Sequence, residues 1–191
     1  GISAAFNGGT HMPFEDVGAV IDAGAVMVFR GSATGLDLAH GSEITQDTVG
    51  VSSTAEREDS FGSAVAIADV TGDGYGEVVI GAYGEDGYRG LVHSLRGGPG
   101  GWTPTGSSVL SGSQIPLATE LGRAIVAGQF DGRYGVDVAV GGWGSAEAGF
   151  VTVVRGASSN LTIARAVTID QDTPGVPDAN QPGDWFGSDL A

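Results

Sequence analysis

Cysteine does not occur anywhere in the 191 residues, and neither does lysine. The first absence removes disulfides, cysteine-ligated zinc and thiol nucleophiles together, yet leaves the compartment open, because many secreted bacterial proteins also lack cysteine. The second leaves eight arginines against 23 acidic residues, for a formal net charge of −15. Arginine alone as the base fits a GC-rich genome as well as any functional reason. A surface of this sign repels phosphate backbones and anionic lipid, which argues against nucleic-acid and membrane-surface partners, and it draws cations. No apolar run reaches eighteen residues, so no helical membrane span is expected. No segment holds apolar residues at three- and four-residue steps over several turns, which speaks against long helices. A Gly-x-Ser-x-Gly elbow, a phosphate loop and a His-Glu-x-x-His helix are all missing. No leader peptide is evident and the chain opens on Gly1, which implies a mature or processed N-terminus.

Glycine, by contrast, is abundant, with 35 residues that cluster between short apolar runs rather than falling in a collagen-like period. The runs recur. Phe61-Gly62-Ser63-Ala64, Leu121-Gly122-Arg123-Ala124 and Phe186-Gly187-Ser188-Asp189 lie 60 and 65 residues apart. After the first two come acidic glycine loops and the runs Val78-Val79-Ile80-Gly81-Ala82 and Val138-Ala139-Val140-Gly141-Gly142. Three copies of one strand, 24–31, 90–97 and 149–156, each open on Gly and close on Arg-Gly. Gln46-Asp47-Thr48 returns as Gln171-Asp172-Thr173 after 125 residues, which is two periods. Each unit reads as four strands: 61–68 or 121–127, the Val-rich run, the Arg-Gly strand, and a fourth at 107–111 or 163–169. Four-stranded units repeated about an axis make an all-β propeller, with its core between neighbouring sheets.

Taken in order, Phe61-Gly62-Ser63, Asp69-Val70-Thr71-Gly72-Asp73-Gly74-Tyr75-Gly76-Glu77 and Ile80-Gly81-Ala82-Tyr83 resemble the FG-GAP repeat. That repeat builds the propeller of integrin α subunits and of many secreted bacterial proteins. The resemblance runs from about Met12 to Ala191 and implies blades of a larger ring of about seven. The expected organisation is a tail or cloning remnant at 1–11, a partial blade at 12–59, complete blades at 60–119 and 120–184, and the first strand of another at 185–191. The remaining blades would come from the same polypeptide or from a second chain.

The resemblance also implies a calcium loop. Asp69, Thr71, Asp73 and Glu77 stand at positions one, three, five and nine, and the carbonyl of Tyr75 at position seven adds an oxygen. Calcium takes six to eight hard oxygen donors, which alternate residues of a curled loop supply. Thr71 and Glu77 depart from the usual Asp or Asn at position three and Asp at position nine. The bland alternative is an Asp/Gly turn without metal. In the next unit Gln129 and Arg133 replace Asp69 and Asp73, so that loop should be metal-free, its guanidinium neutralising Asp131 and Asp137.

Other features read more simply. His93, where the other copies have Met27 and Thr152, is a structural histidine before it is a catalytic one. Asp47 and Asp172 cap loops, and Arg30, Arg96 and Arg155 anchor acidic loops. Trp102, Trp143 and Trp185 pack over glycine corners or form a binding rim. Asn160-Leu161-Thr162 matches a glycosylation sequon. The expected role is an extracellular or cell-surface, calcium-stabilised interaction or scaffold module with a protein or carbohydrate ligand. The rivals are an enzyme, a hydrolase or biosynthetic cyclase working in a pocket of the channel or face through groups such as His93 and Trp102, and a purely structural subunit.

Overall fold

The computed structural model describes residues 2–6, 20–33, 35–116, 118–144 and 147–191. Three antiparallel sheets account for its strands. The first has the order β1-β2-β3, with β1 at Ile2–Phe6, β2 at Val26–Ser32 and β3 at Gly35–Ile44. The second runs β4 (Phe61–Ala68), β5 (Glu77–Ala82), β6 (Leu91–Arg96) and β7 (Thr103–Ser111). The third repeats that meander with β8 (Ala124–Gly128), β9 (Asp137–Gly142), β10 (Phe150–Val154) and β11 (Ala166–Ile169). The sheets are the four-stranded blades of a β-propeller, the first represented by three strands.

Besides β11, which starts at Ala166 rather than at 163 because Ile163–Arg165 form a 3-10 turn, three details differ from the expected strands. Part of the expected tail is a strand: β1 pairs with β2 from Ile2 opposite Arg30 to Phe6 opposite Val26. The cause is that the second edge of β2 carries unpaired amides and carbonyls that a neighbouring strand satisfies. His11, Met12 and the rest of 7–19 lie outside the described residues. Secondly, β8 starts at Ala124 rather than Leu121, because residues 121–123 form a turn ahead of it. Thirdly, β7 starts at Thr103, four residues early, and a register shift between Ser94 and Arg96 of β6 accommodates the extra length.

The core lies between blades, and the pleat decides which residue serves which interface. On β5, Val78 and Ile80 face the first blade and pack with Val26, Val28, Ile44, Phe61 and Leu95. Val79, between them, faces the third blade and packs with Val92, Leu110, Leu121, Val138 and Val140. Both faces of β5 and β9 are covered, which is why those strands read as unbroken apolar runs.

The repeated glycines sit at the seams. Gly24, Gly90 and Gly149 all have positive φ, 88°, 80° and 89°, and a side chain at any of them would strike the backbone of Phe61, Leu121 or Phe186 of the next unit. There Phe61 N donates to Ala23 O at 2.7 Å, Leu121 N to Arg89 O at 3.3 Å, and Phe186 N to Ala148 O at 2.9 Å. Gly81 and Gly141 likewise abut the carbonyl oxygens of Gly122 and Gly187. The motif at the head of each unit is thus a backbone joint with the unit before it.

Candidate metal centre

Residues 69–77 connect β4 to β5. The loop is curled by Gly72 and Gly74, both with positive φ, and by the side chain at its first position. Asp69 accepts the amides of Asp73 at 3.0 Å and Gly74 at 2.9 Å. Asp73 accepts the amide of Tyr75 at 3.0 Å through one oxygen, and Arg96 Nη2 lies 2.8 Å from the other. The Tyr75 amide and the Arg96 guanidinium hold the Asp73 carboxyl below the usual carboxylate range. The acidic loop is tied by this pair to the end of β6, the first explanation the structure offers for the recurring arginine.

Glu77 has a different environment. It is fully buried, and it accepts the amides of Thr71 at 2.9 Å and Gly97 at 3.2 Å as well as the Thr71 hydroxyl at 3.3 Å. Burial pushes its carboxyl upward, and the charges of Asp73 and Asp69 push the same way. Asp137 holds the matching position in the third blade. It accepts the amides of Phe130 at 2.9 Å, Asp131 at 3.2 Å and Gly156 at 2.9 Å. Position nine therefore staples its loop to the glycine of the Arg-Gly pair in both blades.

The loop at 129–137 closes by other means. Gln129 replaces Asp69 and works from both ends, donating to the carbonyls of Arg133 and Gly135 and accepting the amide of Gly132. Arg133 is largely exposed and, among the described residues, reaches only the Asp131 carboxylate, at 3.8 Å, while Arg155 approaches Asp131 at 3.5 Å. The expected pairing of Arg133 with Asp137 is not formed, since backbone amides already satisfy that carboxylate. The two loops also touch each other. Tyr134 donates its hydroxyl to Gly72 O, and Val136 N donates to Asp69 O at 2.9 Å.

The loop's donors are all oxygens, the chemistry a hard cation requires, and the carboxylates of Asp69 and Asp73 sit at its rim. In this arrangement those oxygens face the loop's own amides and Arg96. Among the described residues no three His, Asp or Glu side chains form a metal-holding group. The donor set fits calcium in kind, and an incoming ion would compete with Arg96 for Asp73.

The remaining sequence-derived positions sort clearly. Asp47 and Asp172 accept the amides of Ala55 and Asn180, both at 3.0 Å, as loop caps. His93 is fully buried, edge-on to Phe61 at 5.3 Å, with neither ring nitrogen hydrogen-bonded. A group sealed in this way has no access to a substrate. Asn160 is also fully buried; it accepts the Ser94 hydroxyl at 2.7 Å and donates to Ser94 O and Gly106 O. The sequon therefore does not present its amide. Trp143 and Trp185 stack at 5.8 Å, and the Arg123 guanidinium lies 3.8 Å from the Trp143 ring and 4.4 Å from that of Tyr83.

Sequence reasoning missed a buried polar joint between the first two blades. Glu85 accepts hydrogen bonds from Ser53 at 2.6 Å and from Gln46. Burial raises its carboxyl, and Asp59 contributes in the same direction. The Gln46 repeat was visible, but its partner lies 39 residues away, in a stretch whose Glu-Asp sequence the neighbouring unit does not repeat.

Comparison with known families agrees with this geometry: residues 61–95 match the family model described as the FG-GAP repeat. The matched span begins at the backbone joint, takes in the acidic loop and stops at Leu95, one residue short of the end of β6. The chain thus carries an FG-GAP repeat in its second blade.

Proposed function

We propose that this chain is part of an extracellular β-propeller that serves as an interaction or scaffold module, with calcium bound at loop 69–77 as a structural element. One observation carries the reading. The recurring polar groups are used to hold blades and loops together, Glu77 and Asp137 as staples and Arg96 and Arg155 as ties to acidic loops. A rigid frame of this kind presents loops to partners, whether proteins or carbohydrates.

For calcium, the support is chemical. Burial first, and after it the charges of Asp73 and Asp69, raise the proton affinity of Glu77, and a divalent cation would relieve the charge crowding. Asp69, Asp73, the Thr71 hydroxyl and the Tyr75 carbonyl are its ligands on this reading, with Glu77 behind them or joining them. The ion would tie the end of β4 to the start of β5, leaving Gln129 and Arg133 to close the third blade's loop without metal.

Calorimetric titration of the 191-residue chain with calcium tests this. One site is expected, together with a rise in Tm of about 5–10 °C once calcium is near 100 times its Kd. Asp73→Asn should weaken binding at least tenfold, and Arg96→Gln, which removes the competing cation, should strengthen it. Absence of binding, or two equal sites, would overturn the calcium assignment.

A further inference from the structure

Arg30, Arg96 and Arg155 occupy one position in three copies of the same strand. Arg96 is engaged by Asp73 and Arg155 by Asp131. Arg30 is exposed and has no carboxylate partner among the described residues. Its guanidinium instead lies against Gly101, where a Cβ would stand 2.6 Å from Nη2. There it borders two adjoining concavities between the first and second blades, of about 190 and 340 Å3. Trp102 and His40 line the first, and Tyr75 and Pro99 the second, with Arg30 and Gly101 common to both. His40 is held by Asp37 at 2.8 Å, so it is not free to neutralise a ligand by itself.

We propose that this double concavity binds a sugar bearing a single carboxylate, with Arg30 receiving the carboxylate and Trp102 and Tyr75 offering ring faces and polar edges to the sugar. An exposed guanidinium without a carboxylate partner, at the border of concavities that Trp102 and Tyr75 line, is suited to a planar oxyanion on a small polar body. The larger concavity falls at the lower end of the small-ligand range of about 300–1,000 Å3, too small for the anchor residues and surrounding surface that a peptide complex needs. A net charge of −15 repels polyanions, which favours one carboxylate over many.

This inference rests on the interaction-module reading and can fail without it. The test is a titration of the isotope-labelled 191-residue chain with methyl glucuronide, followed by the Trp102 indole and Arg30 guanidinium resonances, with and without calcium. Saturable shifts are expected at both, absent with methyl glucoside at equal concentration. Arg30→Gln, an exposed change whose folding is checked by the unperturbed spectrum elsewhere, should weaken binding at least tenfold. An equal response to the neutral sugar, an unchanged affinity in Arg30→Gln, or equal binding of acetate or a glutamate-bearing peptide would overturn the proposal. Those outcomes would leave the calcium result standing on its own.

Discussion

Three buried ionisable side chains show how burial sets chemistry at the scale of a residue. His93 faces Ile80 and Val109 across its neighbouring strands and Phe61 edge-on, and desolvation lowers its pKa from 6.5 to about 4. The folded state thus refuses a proton that the unfolded chain accepts below about pH 6.5. Stability from this group is complete above that value and falls as the pH drops toward 4, by roughly 3 kcal/mol across the window. Glu77 and Glu85 act in the opposite sense, because burial raises their pKa and their protonation favours the fold at low pH. A difference measurement separates them: His93→Leu should flatten the fall in urea stability between pH 6.5 and 4.5 relative to the unaltered protein. If both lose stability in parallel, His93 does not control the acid response. The histidine was legible as an odd residue on a repeated strand, since its counterparts are Met27 and Thr152. That it would be sealed without a partner was not, because the ring that covers it comes from Phe61, 32 positions earlier.

Each blade is a meander whose order follows directly from turns and apolar runs, and at the scale of elements most of the fold was readable in advance. The strands 61–68, 78–82, 90–97 and 149–156 all fall where alternation and glycine punctuation place them. The missed element, β1, is too short to stand out by pattern, and its status as a strand depends on an edge offered by β2. The glycines at strand ends were legible as a repeat but not as joints, because their contact is with the backbone of another unit. Gly81→Ala tests that role. Its Cβ would strike Gly122 O, which no side-chain rotation relieves, so a loss of about 3 kcal/mol in unfolding free energy is expected. Gly98→Ala is the control, since its Cβ would meet only Gly101 O at 3.6 Å. Equal effects from both would deny the seam its importance.

Across the molecule the blades are joined by apolar packing, by backbone joints and by a few buried polar contacts of long sequence range. Asn160 is the clearest of the last. It links the third blade to Ser94 and Gly106 of the second across 66 and 54 residues. Asn160→Ala strands the Ser94 hydroxyl and two carbonyls, and should cost about 2–3 kcal/mol. In a double-mutant cycle with Ser94→Ala the losses should fall short of additive, and strict additivity in urea melts would show that the two do not interact. The sequence marked Asn160 as a sequon because a local pattern cannot tell an exposed loop from a buried joint. The acidic loop stood out in the sequence as a distinct feature, but its use of Arg96 and Glu77 to fasten strand ends required coordinates.

The joint between Gly149 and Phe186, like that between Gly24 and Phe61, completes an earlier unit with residues translated after it. On the ribosome, each wedge therefore waits with one flank bare until the head of its successor emerges. Maturation would advance one step behind synthesis, and a stalled ribosome would leave a single sticky flank at a known address.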